Sequence, residues 1–165
     1  KADNLELIYT VKKPYKGTFY KVHICKCNIK KDVTSNALYQ SDLDCIEEGL
    51  NLLEADINGF LERKNFKEVS EENALQNLGF IASVRKQLEH NRQSLSLNEL
   101  KVIYIGLNFL RDDLDAPADK RSEKNRDLND REILNKKQDV RAARQKITAV
   151  FTRMGVDIQA TLRGF

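Results

Sequence analysis

Between residues 43 and 60 the apolar positions Leu43, Ile46, Leu50, Leu53, Ile57 and Phe60 step by 3, 4, 3, 4 and 3. That rhythm belongs to one face of a helix. Glu47, Glu48, Glu54, Asp56 and Glu62 lie between them, so the opposite face is acidic. The pattern predicts a helix over 42–64, with Ser41 as N-cap and Asp44 in a capping-box-like relation to it. A second stripe, Ala74, Leu75, Leu78, Ile81, Ala82 and Leu88, predicts a helix over 71–92. Ser70 is placed to cap it, and Glu71 and Glu72 suit the positive end of its dipole.

Ser96-Leu97-Asn98-Glu99 is a capping box that opens a third helix over 97–114. Leu100, Ile103, Leu107, Leu110 and Leu114 repeat the same rhythm. Val102, Tyr104, Ile105 and Phe109 widen the stripe almost to the whole circumference. A helix of that kind is expected at the centre of a bundle. A fourth helix over 130–154 has Ile133, Val140, Ala143, Ile147, Val150, Phe151 and Met154 as its core face. Its first half is thin in apolar residues, with Asn135, Lys136, Lys137 and Gln138 in a row. That half is expected to extend beyond the bundle or to meet a partner. Gly155 suits the helix end, and the tail over 156–165 is expected to pack back or form a short helix.

The start of the chain has a different period. Leu5, Leu7, Tyr9 and Val11 alternate with Glu6, Ile8 and Thr10, which predicts a strand. Pro14 and Gly17 mark a turn over 12–18, and a second strand follows over 19–29. A lone hairpin is marginal in water, so this one must pack on the helices or pair with another edge. Residues 115–129 read as a polar charged linker containing Pro117. The fold class that results is α+β, mainly α: an N-terminal β-hairpin over 1–30 packed on a four-helix bundle, as a single domain over 1–165.

Composition narrows the function classes. A chain of 165 residues buries about 70 % of its extended surface on folding. Two prolines and seven glycines exclude collagenous and proline-rich classes. No stretch of about 18 apolar residues occurs, so neither a membrane span nor a membrane partner is expected. Three cysteines are too few for a disulfide scaffold. Lys1-Ala2-Asp3-Asn4 carries no apolar secretory stretch. Together these give a cytoplasmic expectation. The net charge of +3 is unevenly spread: +5 over residues 1–40, −7 over 41–80, neutral over 81–115 and +5 over 116–165. Basic ends around an acidic middle could neutralise each other on folding, or leave a basic face for an anionic partner.

Three constellations could carry chemistry. His23-x-Cys25-x-Cys27 offers imidazole and thiolates for zinc, with Cys45 as a conceivable fourth ligand. Same-face neighbours on a strand are about 6.6 Å apart, however, while zinc ligands sit about 2.0–2.3 Å from one metal. A straight H-x-C-x-C therefore fits small half-buried residues better than a metal site. Cys45 is also a poor nucleophile, because Asp42, Asp44, Glu47 and Glu48 surround it and negative charge raises a thiol pKa. The second constellation is Arg85-Lys86-Gln87-Leu88-Glu89-His90, of the form R-x4-H. It resembles the motif of HEPN-type ribonucleases, helical bundles in which paired motifs act on RNA. The resemblance covers six residues and implies phosphate binding by Arg85 and acid–base work by His90. Lys86 stands where that family usually carries a small polar residue. The plain alternative is a helix end whose cations suit the dipole.

The third constellation is basic. Lys12, Lys13, Lys16 and Lys21 decorate the hairpin among Tyr15, Phe19 and Tyr20, an arrangement that can hold a single strand. Lys136, Lys137, Arg141 and Arg144 run along the fourth helix, where they could contact phosphates or an acidic protein. Lysine also blunts edge strands, and mixed charge is usual on a solvated helix face. No phosphate loop, nucleophile elbow, H-E-x-x-H or EF-hand spacing occurs, and nothing in the sequence calls for a cofactor. The expected function is a non-catalytic protein-interaction or regulatory module, with a protein partner or, by self-association, a second copy as ligand. A nucleic-acid-binding accessory protein is the alternative, and the R-x4-H ribonuclease a third. The chain should fold without zinc. Elemental analysis should find no stoichiometric metal, and helical circular dichroism should survive chelation. One zinc per chain with unfolding on chelation would establish the His23/Cys25/Cys27 site instead.

Overall fold

The computed structural model describes residues 4–7, 9–11, 37–63, 71–89 and 93–162. It is mainly helical, with four short strands. In chain order the elements are β1 (Asn4–Leu7), β2 (Tyr9–Val11), β3 (Ala37–Tyr39), α1 (Gln40–Arg63), α2 (Glu71–Leu88), β4 (Gln93–Ser96) and α3 (Leu97–Asp115). A 3-10 turn (Ala118–Lys120), α4 (Glu123–Arg126), α5 (Asp130–Arg153) and α6 (Ile158–Leu162) complete it.

The four long helices lie where the apolar rhythm predicts them, within one or two residues at most ends. The second is the exception and stops at Leu88, because β4 begins at Gln93. The turn and second arm of the predicted hairpin, 12–18 and 19–29, lie outside the described residues. The first arm has partners that alternation alone does not indicate. β1 pairs antiparallel with β4, Asn4 opposite Ser96 and Leu7 opposite Gln93. β2 pairs parallel with β3, Tyr9 opposite Ala37 and Val11 opposite Tyr39. β3 runs directly into α1 and β4 directly into α3. The N-terminal strand segments thus tie together the starts of the two innermost helices. The partner strands β3 and β4, of three and four residues, are too short for a period to show in the sequence.

Capping follows the sequence in one place and departs from it in another. At α3 the box is formed as predicted: Ser96 Oγ accepts from the Glu99 N–H, and the Ser96 N–H donates to Glu99 Oε2, both at 3.3 Å. At α1 the helix starts at Gln40, so Ser41 lies inside it. The carboxylate that serves this end is Asp42, whose Oδ2 accepts the Tyr39 N–H at 2.8 Å. Ser70, the predicted cap of α2, is outside the described residues. A second capping box, Asn129 with Glu132, starts α5, each bond 2.9 Å.

α3 is the central helix. Leu100, Val102, Ile103, Leu107, Leu110 and Leu114 are all fully buried. α1 packs on it so closely that the two backbones touch at Gly49 and Gly106. A Cβ built on Gly49 would sit 2.5 Å from the carbonyl carbon and oxygen of Gly106. One built on Gly106 would sit 2.9 Å from the carbonyl carbon of Gly49. Real Cβ atoms do not approach backbone so closely, so any side chain at either position forces the helices apart. Around this contact Ile46, Leu50, Ile81, Val84, Ile147 and Phe151 complete the core. The Tyr104 and Phe151 rings meet edge to face with centroids 6.1 Å apart, a preferred aromatic geometry. After α5 the chain turns at Gly155, which has φ +68°, and Ile158 and Leu162 of α6 pack back on the core as expected of the tail.

The two classes of helical glycine behave oppositely. Gly49→Ala should cost about 1–3 kcal/mol or more through overpacking. Gly59→Ala, in the same helix but with nothing within 4 Å of its Cβ position, should gain about 0.5–1 kcal/mol from lower chain entropy. Urea titration of both variants checks the contrast.

Candidate functional site

The acidic face of α1 is not wholly solvated. Asp42 and Glu48 are buried, and each faces a lysine of α5. Lys136 Nζ lies 2.8 Å from both oxygens of Glu48. Lys146 Nζ pairs with Asp42 and also lies 3.9 Å from the centroid of the Tyr39 ring, a cation–π contact. A third element closes the cluster. Asn125 of α4 is fully buried. Its Nδ2 donates to Glu48 Oε1 at 2.8 Å and to Asp113 Oδ2 at 2.7 Å, while its Oδ1 accepts from Lys136 Nζ at 2.5 Å.

Taking ions out of water costs several kcal/mol per charge, which pairing offsets only when the geometry is good. These pairs therefore contribute position more than net stability. Lys136 and Lys146 are ten residues apart on α5, and Asp42 and Glu48 six apart on α1. Sliding α5 by one turn, about 5.4 Å, would strand both carboxylates. The first half of α5, expected to project or meet a partner, is instead held down by Lys136, with Ile133 buried beside it. The charged linker over 115–129 is also more ordered than its composition suggests. Its backbone forms a 3-10 turn and α4, held in place where Asn125 and Ser122 find acceptors on α1 and α3.

Beside the cluster lies a polar groove of about 400 Å³, lined among others by Asp44, Cys45, Glu47, Lys124 and Asp139. Burial, together with Asp139, Asp42 and Glu48, pushes the Cys45 thiol up to about 12. Burial and the nearby Asp42 and Asp44 carboxylates raise the Asp139 carboxyl above its ordinary range. At neutral pH the groove therefore holds a protonated thiol, not a nucleophile. Among the described residues no three His, Cys, Asp or Glu side chains converge to hold a metal ion. A second, apolar cleft of about 220 Å³ lies between α1, α2 and α3, with Phe60, Ala74, Ile105 and Phe109 in its walls.

The residues singled out in the sequence fall into three groups. Lys12, Lys13, Lys16, Lys21, His23, Cys25, Cys27 and His90 lie outside the described residues. Arg85 is occupied: Nε donates to Glu47 Oε1 at 3.0 Å, Nη1 to Glu54, and Nη2 to Asn51 Oδ1 at 2.5 Å. Burial alone would lower its pKa, but Glu54 and Glu47 outweigh that and hold it above the ordinary value. It joins α2 to α1. On α5, Lys136 belongs to the buried cluster and Lys137 pairs with Asp115 at 2.8 Å. Arg144 donates to Asn108 Oδ1 at 2.9 Å and stacks over Tyr104, its guanidinium carbon 5.5 Å from the ring centroid. Arg141 is exposed. Four residues central here are not marked as a site by the sequence: Asp42 and Glu48 read only as part of an acidic face, Lys146 only as one of the fourth-helix cations, and Asn125 only as part of the polar linker. Nothing in a charged stretch distinguishes a carboxylate or amide that will be buried.

No helix among the described residues is long and apolar enough to cross a membrane. No protein-family model, curated protein or solved structure matches the chain. The raised thiol of Cys45 has a pH consequence. The folded state holds that proton more tightly than the unfolded chain, whose thiol titrates near 9.0. Its contribution is complete below pH 9 and is lost as pH rises toward 12. In the folded protein at pH 8, Cys45 should resist alkylation by iodoacetamide, as read by peptide mass mapping. Labelling at the rate of a free thiol would contradict the burial.

Proposed function

We propose that this chain is a non-catalytic helical interaction module that presents the outer face of α2 to a protein partner. The observation that carries this reading is the composition of that face. Leu75, Gly79 and Ala82 recur at steps of 4 and 3 and are all exposed, Leu75 by 53 %. Space is open at Gly79, where an added Cβ would meet nothing within 4 Å. A leucine followed by small residues on one exposed stripe allows a second helix to approach closely. The apolar cleft runs along the same helix at Ala74 and Asn77, offering a recess for an inserted side chain. Leu134 on α5, 55 % exposed, is a second exposed apolar site.

The distribution of charge supports the same reading. Three of the four α5 cations that could hold phosphates are engaged within the fold. Arg85, the cation of the R-x4-H motif, is committed to α1. A basic surface for nucleic acid would then rest on exposed residues such as Arg131 and Arg141.

Sedimentation velocity across a concentration series, together with affinity purification from the producing cells, tests the reading. A self-complex or a reproducible stoichiometric partner is expected with the unaltered protein. Leu75→Glu combined with Ala82→Glu should abolish it while shifting the thermal midpoint little, as for exposed positions. Submicromolar binding to single-stranded nucleic acid near physiological salt would favour the alternative, provided that its log–log salt slope falls by about 0.7 for each of Arg131→Gln and Arg141→Gln.

A further inference from the structure

The segment between α3 and α5, residues 116–129, is fastened to the bundle almost wholly by polar bonds. Neither its 3-10 turn nor α4 buries any residue except Asn125. Leu128 is its one partly buried apolar side chain packed on the core. The fastening converges on Asp113 of α3. Ser122 donates its N–H to Asp113 Oδ1 at 2.7 Å and its hydroxyl to Asp113 Oδ2 at 2.8 Å. Asn125 Nδ2 reaches the same Oδ2 and, at 3.3 Å, Ser122 Oγ. A segment with so little apolar burial opens at lower free-energy cost than the helices it lies on.

Ser122 differs from the other described serines. Ser41 and Ser83 lie within helices and Ser94 and Ser96 within the paired strand β4, whereas Ser122, at φ −55° and ψ 154°, lies outside every helix and strand, between the 3-10 turn and α4. Lys120 and Arg121 precede it and Lys124 follows, all within two residues. A serine outside helix and strand with cations on both sides suits the active site of a serine kinase that selects basic sequences. We propose that Ser122 is a phosphorylation site, and that its modification unlatches residues 116–129 from α1 and α3. The co-reactant is a nucleoside triphosphate. Ser122 Oγ attacks the terminal phosphorus and the Oγ–P bond forms. The bond from that phosphorus to the bridging oxygen breaks, the nucleoside diphosphate leaves, and the hydroxyl proton passes to the base of the kinase.

The product cannot re-form the latch. The hydroxyl that donated to Asp113 is gone, and a group carrying about −1.5 to −2 charge takes its place beside that carboxylate. Glu48, one amide away through Asn125, adds a second repulsive carboxylate. α4 is a single turn, so its dipole gives little to set against them. Opening first admits the kinase, and the phosphate then holds the segment open. What it uncovers is the Glu48–Lys136 pair at the edge of the polar groove. This switch is separate from the α2 face, and neither depends on the other.

The test treats the full chain with a basic-directed serine kinase and magnesium ATP, locates phosphate by tandem mass spectrometry, and follows amide hydrogen exchange over 116–129. Phosphate at Ser122 should speed exchange there roughly ten- to a hundredfold, the loss of a charge-assisted hydrogen bond, with α1 and α3 unchanged. Asn125→Ala should open the same segment without phosphate and make Ser122 a faster substrate. Ser122→Ala should take up no phosphate on this segment. No phosphate at Ser122, even in the Asn125→Ala protein, overturns the proposal. So does a phosphorylated segment that keeps its protection, which would mean that Lys124 and Arg126 clasp the phosphate in place.

Discussion

At Gly49 and Gly106 two helices meet backbone to backbone, and much of the core geometry depends on that distance. Dispersion between side chains decays within about an ångström of extra separation. The residues beside the glycines, Ile46 and Leu50 on α1 and Val102, Ile103 and Leu107 on α3, can all be fully buried because nothing larger than hydrogen stands at the crossing. α2 and α5 then pack against this pair. The strand segments β1 and β2 bind the starts of the same two helices through β4 and β3. The innermost pair is thus held along its length by close contact and at its entrances by main-chain hydrogen bonds.

α5 is positioned by another force. Its apolar face is sparse toward its N-terminus, and apolar contact tolerates sliding. The buried pairs Asp42–Lys146 and Glu48–Lys136 do not. Each is tolerable only when partnered, so α5 has one register at which both carboxylates are neutralised. The same cluster orders the segment before α5, since Asn125 satisfies Glu48, Asp113 and Lys136 at once. Order there comes from hydrogen-bond satisfaction, not from apolar area, and a fastening of that kind is sensitive to added charge.

The uneven charge along the sequence resolves into cross-helix neutralisation. The acidic stretch over 41–80 meets cations from two directions: Arg85 of α2 on Glu47 and Glu54, and the lysines of α5 on Asp42 and Glu48. Among the described residues, Arg85, Lys136, Lys137 and Arg144, which look available in a linear reading, are engaged within the fold. On α2, Leu75 and Ala82, which the spacing alone places in the apolar stripe, stand exposed together with Gly79.

The sequence by itself determined the helices. Their stripes, the capping box at Ser96 and the stop at Gly155 are local properties of spacing, side-chain reach and backbone freedom. The centrality of α3 was legible too, because a helix apolar nearly all round has nowhere else to go. Only the tertiary structure decided the pairing of β1 and β2 with segments far along the chain, since so few residues carry no readable period. It also decided which polar residues are buried. Asp42 and Asp44 look alike in the sequence, as do Glu47 and Glu48; in each pair one is buried and the other exposed. The difference lies in where a lysine of α5 arrives, and that depends on how the helices pack.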